Sequence, residues 1–208
     1  MSREIVETFF VYRYEELSDK AKENAKKWYL NDPFRCDEFS NLLKWDLDEL
    51  FPNSDLKYEY SLSYCQGDGL NVYGRVELCD LYNVHKKAPK YNHLQRFNEK
   101  EWKRFSRYYE SVGRCICLPS NMHYGYCMAD RIDFAEDMIG ELEGMHYSNI
   151  DKELIFRFEK AISELFVDYC GDWESAGYKY LYEIDDEEME EISDANEWEY
   201  YEDGRLYA

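Results

Sequence analysis

No window of this chain is long and apolar enough to cross a bilayer as a helix, which excludes a transmembrane segment of that kind. Met1-Ser-Arg-Glu is followed by an alternating stretch rather than an apolar run, so no secretory leader is expected. Proline is scarce, and the four present, Pro33, Pro52, Pro89 and Pro119, each punctuate the chain between candidate elements. There is no internal repeat and no flexible linker, which points to one domain spanning 1–208.

Chemical motifs are equally thin. The Cys65-Gln-Gly-Asp-Gly69 loop is not followed by a helix and has no Lys-Ser/Thr pair, so it is no phosphate loop. Cys115, Cys117, His123 and Cys127 are soft ligands, but their spacing differs from paired zinc knuckles, and buried thiols in a strand account for them better. His85, His93, His123 and His146 are scattered, with no nucleophile–base pattern beside them. Carboxylate pairs are so numerous that they carry no information about acid–base catalysis. The expectation is a non-enzyme with no catalytic residue, no metal ligands and no cofactor. A metal- or thiol-dependent enzyme is the weakest alternative. The seven cysteines are odd in number and irregularly spaced, which predicts reduced thiols, mostly small core residues, in a cytoplasmic protein.

Positive charge is also in short supply. Lys and Arg number 25 against 45 Asp and Glu, a formal net charge of −20. Such a chain repels nucleic acid and anionic membrane, so direct binding to either is not expected. Its natural partner is a protein with a basic surface, and solvation of the surface is the competing explanation. The one basic region, Lys86, Lys87, Lys90, Arg96, Lys100, Lys103, Arg104 and Arg107, reads as a solvated face or as a docking place for an acidic segment of the same chain.

What is abundant is aromatic and β-patterned sequence, enough for a packed core. The fold is organised around Leu56–Leu78. Leu56, Tyr58, Tyr60, Leu62 and Tyr64 alternate with polar residues, and Leu70, Val72, Gly74, Val76 and Leu78 do the same beyond the Gly67-Asp68-Gly69 centre. Period two on both sides of such a turn predicts a hairpin with one buried face and positive φ at Gly67 and Gly69. Ile5–Tyr14 reads as a strand. Ser18 caps a helix carrying Ala21, Ala25, Trp28 and Tyr29, and a second helix covers Cys36–Phe51. Strand character continues through Leu81–Val84. Asn98 caps a helix over Glu99–Glu110, and Arg114–Leu118 and Tyr124–Ile132 read as strands. Phe134–Leu142 reads as a short helix and Asp151–Asp172 as a longer one, with Trp173–Tyr182 extending it after a break at Gly171 or starting a further helix. A short acidic helix around Met189 and a hairpin over Trp198–Tyr207, turning at Glu202-Asp-Gly204, close the chain. The class is α+β: a single antiparallel sheet centred on the hairpin with helices packed on one face.

Three segments, Glu16-Leu-Ser-Asp-Lys-Ala-Lys-Glu-Asn-Ala25, Ser61-Leu-Ser-Tyr-Cys-Gln-Gly-Asp-Gly69 and Ile192–Tyr207 with its Glu-Asp-Gly-Arg-Leu-Tyr ending, resemble a widespread family of uncharacterised phage and prophage proteins, sometimes labelled antitoxin-like. The resemblance runs through the chain in outline; Val84–Arg107 has no counterpart in it. It implies a small phage-borne accessory protein in the cytoplasm of a bacterial host. Proteins of that kind act against host defence, CRISPR systems included, by binding an enzyme. Within this chain the matching surface is the acidic segment 183–207. Asp185, Asp186, Glu187, Glu188, Glu190, Glu191 and Asp194 imitate the charge of a nucleic-acid backbone, with Trp198 and Tyr200 as aromatic anchors and Asp68 as a further exposed contact. An antitoxin-like or regulatory protein for a basic partner is the alternative. That these aromatics are core, and the acids only solvate the surface, is the structural alternative.

Overall fold

The computed structural model describes residues 8, 10–113, 116–120 and 127–207. Among them are seven α-helices and one three-stranded antiparallel sheet in the order β1-β2-β3, an α+β fold as expected. The chain divides into two compact units, residues 41–177 and residues 1–40 with 178–208, and the division falls inside two of its helices.

In the unit 41–177 the hairpin is β1 (Asp55–Ser61) and β2 (Gly69–Val76), paired from Asp55↔Arg75 to Ser61↔Gly69. Leu70, Val72 and Val76 are buried, as the alternation requires. Their partners Tyr58 and Tyr60 are only half-buried, because β1 is an edge strand. The opposite face of β2 is covered too. Asn71 is fully buried there, donating to Glu59 and to the Pro119 carbonyl and accepting from the Met128 N–H at 2.9 Å. Gly67 takes positive φ (108°), but Gly69 pairs as an ordinary strand residue and Tyr64 supplies the other positive φ of the loop. The third strand, β3 (Ile116–Leu118), pairs with β2.

The strand reading of Leu81–Val84 is corrected to a helix, α3 (Leu78–Lys87). Leu81 and Val84, three apart, are both fully buried on one helical face. Asp80 in the first turn is buried and accepts from the Asn53 N–H (2.9 Å), the Asn53 amide (2.7 Å) and the Ser54 hydroxyl (2.7 Å). That anchor fixes the start of the helix against the Pro52-Asn53-Ser54 turn and outweighs the β-propensity of Tyr82 and Val84. The strand expected over Tyr124–Ile132 is also corrected: 121–126 lie outside the described residues, and Ala129–Arg131 forms a 3-10 turn. Arg114 and Cys115 of the neighbouring expected strand lie outside them as well.

Asn98 caps the helix α4 (Glu99–Val112) through a reciprocal capping box with Glu101. Trp102, Phe105 and Tyr108 are its buried face. Of the basic region, Arg96 pairs with Glu164 (2.8 Å), Arg104 with Asp151 (2.7 Å) and Lys90 with Asp172 (3.1 Å). The acidic residues that meet it lie in 151–172 of the same unit.

After a short helix, α5 (Ala135–Gly144), the chain enters a 31-residue helix, Lys152–Tyr182, with no break at Gly171. Leu154, Phe158, Ile162, Leu165, Phe166 and Tyr169 form an unbroken buried stripe that overrides one helix-weakening glycine. Gly171 is exposed, and a Cβ there would meet nothing within 4 Å. Gly171→Ala is expected to stabilise the protein by roughly 0.5–1 kcal/mol, read as a raised urea midpoint with an unchanged m-value.

The other unit holds α1 (Asp19–Leu30), capped by Ser18 as expected, the first turns of α2 (Phe34–Leu50), the end of the long helix, which we label α6, and α7 (Asp186–Ala195). Its core is Tyr14, Leu17, Ala21, Ala25, Met189 and Tyr200. Of the strand expected over Ile5–Tyr14, 1–7 and 9 lie outside the described residues. The remainder forms a single antiparallel bridge from Tyr12 to Tyr200 and then a 3-10 turn over Tyr14–Glu16. Arg35 is 5 % exposed and lies between the rings of Tyr29 (4.4 Å) and Tyr180 (4.6 Å), donating to the Tyr180 carbonyl. Partial burial, and then donation to Glu38, push the half-buried Tyr180 phenol up to about 12.

Candidate functional site

The acidic segment is ordered by ordinary helix chemistry. Asp185 is the N-cap of α7 and accepts from the Glu188 N–H at 2.8 Å. Asp186, Glu187 and Glu188 sit in the first turn, where the positive end of the helix dipole favours carboxylates. Met189 and Ser193, four apart, point into the core. The Ser193 hydroxyl lies 2.7 Å from the Tyr200 hydroxyl, joining the helix to the hairpin that follows. That hairpin is a single bridge, Tyr200↔Leu206, closed at Tyr201–Arg205 by a 2.8 Å hydrogen bond.

Several residues expected at a partner surface are occupied within the fold. Tyr200 is fully buried and bridges Tyr12 on both sides of its backbone, so it is a core residue and not a surface anchor. Asp186 accepts from Lys26 (2.6 Å) and from the Tyr14 hydroxyl (2.9 Å). Trp198 is half-buried, packed on Trp28 at 5.2 Å and Tyr29 at 6.0 Å. Asp68, read as an exposed contact, is half-buried and folds its own loop. It accepts from Ser61 and Ser63 hydroxyls and from the Ser63 and Cys65 N–H groups, the closest at 2.6 Å. Burial, and then the Asp68 carboxylate, push Glu174 above the usual carboxylate range.

Glu187, Glu188, Glu191 and Asp194 are exposed and Glu190 half-exposed, and none of their carboxylates takes an ion pair among the described residues. Residues 178–208 carry twelve Asp and Glu against two Lys and Arg, a net −10 that is half the charge of the chain. Half of the net negative charge thus falls in one segment of the chain.

Of the soft-ligand set, Cys115 and His123 lie outside the described residues, while Cys117 is exposed and Cys127 half-buried. Among the described residues no three His, Cys, Asp or Glu side chains gather as a metal site. Among the described residues the thiols are not mostly core, contrary to the expectation: Cys36, Cys65, Cys79 and Cys117 are exposed, and of the six only Cys170 is fully buried. No described helix is long and apolar enough to cross a membrane.

The Asp186 cluster gives a pH dependence. The hydrogen bond from Lys26, then that from Tyr14, hold the Asp186 carboxyl below its ordinary value, and the same contact raises Lys26. A depressed carboxyl contributes stability that is complete above the ordinary Asp range and lost as pH falls through the folded value. The Asp186→Asn variant is expected to melt below the native protein at neutral pH. The gap should close on acidification to about pH 2–3, below the ordinary Asp range, in melting curves followed by circular dichroism.

No family model matches the chain, and no curated protein or solved structure matches it significantly.

Proposed function

We propose that this chain is a binding protein without catalytic activity, whose α7 face occupies a basic, nucleic-acid-binding surface on another protein. The reading follows the phage-family resemblance to an inhibitor of a host defence enzyme, a CRISPR nuclease being one such target. The observation that carries it is the row of unpaired carboxylates at Glu187, Glu188, Glu190, Glu191 and Asp194 on a helix whose opposite face is anchored by Met189 and Ser193. Carboxylates held on a rigid helix cost little ordering entropy on binding, and a field of one sign speeds association with a basic groove.

The test neutralises those five residues to Gln or Asn and keeps Asp185 and Asp186, which the fold uses. The intact protein is expected to retain a basic nucleic-acid-binding protein from a bacterial host lysate and to displace DNA or RNA from it. Both effects should fall away in the variant and above roughly 0.3 M salt, where charges are screened within about half a nanometre. Undiminished retention and displacement by the variant would overturn the reading. Capture of a basic toxin with no nucleic-acid site would replace it with the antitoxin alternative.

A further inference from the structure

The unit 41–177 contains a cavity of about 410 Å³ that is separate in sequence from the acidic face, lined among others by Trp45, Asp46, Lys90, Tyr91, Asp172 and Trp173. Its polar groups are unusual in what they lack. Tyr91 is 2 % exposed, yet its hydroxyl has no hydrogen-bond partner. A buried hydroxyl without a partner costs stability unless something outside the described chain supplies one. Burial first, and then the neighbouring Asp172 carboxylate, push this phenol far up, so it stays protonated, although no acceptor meets it in hydrogen-bond geometry. Asp46 directs one oxygen, Oδ2, to the Tyr169 hydroxyl (2.9 Å) and the Trp173 indole N–H (3.0 Å), while Oδ1 accepts nothing among the described residues. Those two donors hold the carboxylate in place. Trp45 is 66 % exposed at the same cavity.

The second carboxylate shows what the cavity takes. Asp172 is paired with the ammonium of Lys90 at 3.1 Å, and that ammonium also lies 4.6 Å from the Tyr91 ring centroid. Both side chains of the pair are at least half exposed, so the contact is held weakly and exchanges readily. Lys90 is a tethered cation resting at the mouth of a site with spare acceptors and aromatic walls. A neutral ligand would leave the carboxylates unanswered, and an anion would be repelled by them. An ammonium carries three N–H donors and favours aromatic faces, and an alkyl stem suits the indoles.

We propose that this cavity binds a primary alkylammonium group, which displaces Lys90 from Asp172 and reaches the unpartnered oxygens of Tyr91 and Asp46. The proposal stands apart from the acidic-face reading, and either can fail alone.

The test titrates the full chain with n-butylammonium chloride and with its neutral counterpart 1-butanol at constant ionic strength, following the Trp173 indole N–H resonance. Butylammonium is expected to give a saturable shift and butanol none. Asp172→Asn should weaken binding by about fivefold, the scale of a half-exposed ion pair, whereas Lys90→Met should tighten it by a similar factor because the internal competitor is gone. Both substitutions are at exposed positions and leave the core intact. A blocked Gly-Lys-Gly peptide as a third probe separates the sources of the amine: tighter binding than butylammonium assigns a protein side chain, equal or weaker binding a free amine. No saturable shift, an equal response to butanol, or weaker binding in Lys90→Met would overturn the proposal.

Discussion

Phe158→Ala is expected to remove about 3–5 kcal/mol of stability, the largest loss for a single truncation in the unit 41–177. Phe158 is fully buried on α6. Its ring stacks on Phe105 (4.1 Å, 4°) and on Phe97 (3.8 Å, 17°), and meets the edge of Trp102 at 4.9 Å. Removing it deletes the common member of three aromatic contacts and leaves a void that Phe97, Phe105 and Trp102, each held by its own backbone, fill only in part. Urea unfolding followed by tryptophan fluorescence measures it. A loss under about 1 kcal/mol would mean that the cluster closes over the gap, contrary to the usual behaviour of such sites.

Gly204→Ala is expected to cost about 3 kcal/mol or more, although it adds a single methyl group. Gly204 has φ +85°, a conformation that an L side chain occupies only under strain. The added Cβ would stand 2.0 Å from the Ala21 carbonyl oxygen and 2.8 Å from its carbon, both backbone atoms of a helix. Ala21 is itself 2 % exposed, so α1 has nowhere to retreat. The turn must lift instead, breaking the Gly204 N–H bond to the Tyr201 carbonyl (2.9 Å) and the Asn24 bond to the Asp203 carbonyl (2.9 Å). Hydrogen exchange tests this locally: the Tyr12 and Tyr200 amides, which bond to each other's carbonyls, should lose protection first. Unchanged protection there would show that the turn accommodates the methyl group.

The sequence is most legible where local chemistry is self-contained. Ser18 before α1, the Asn98–Glu101 box before α4, and the alternation on either side of Gly67 each state their own structure within a few residues. It is least legible where a distant partner decides. Leu81–Val84 has strand-like residues, and only the contact of Asp80 with Asn53 and Ser54, 27 and 26 residues earlier, shows a helix starting there. Gly171 looks like a stop, yet the helix carrying the long buried stripe from Leu154 to Tyr169 runs through it to Tyr182. In the candidate site, the acidic helix and its turn are readable, but the division between structural and free carboxylates is not. Asp186 differs from Glu187 only in facing Lys26 and Tyr14, and the one hint in the sequence is Lys22 and Lys26 spaced four apart on α1. Tyr200 is one tyrosine among 21, and nothing local marks it as the residue that Tyr12 bridges.

The bridge between Tyr12 and Tyr200 also sets an order in time. Residues 41–177 form a continuous stretch and can pack as soon as they leave the ribosome. The other unit is split, and α1 with its Ala21 and Ala25 face emerges long before Met189 and Tyr200 exist to cover it. At about 5–20 residues per second, that face waits roughly 10–30 s for its partners. Throughout that interval the early segment is an exposed apolar helix carrying Lys20, Lys22, Lys26 and Lys27, without the carboxylates that will later neutralise it. The acidic helix α7 and the basic helix beneath it are thus joined only after Asp186–Ala195 has been made, and a nascent chain interrupted before Glu183 shows the lysines of α1 without the carboxylates that later face them.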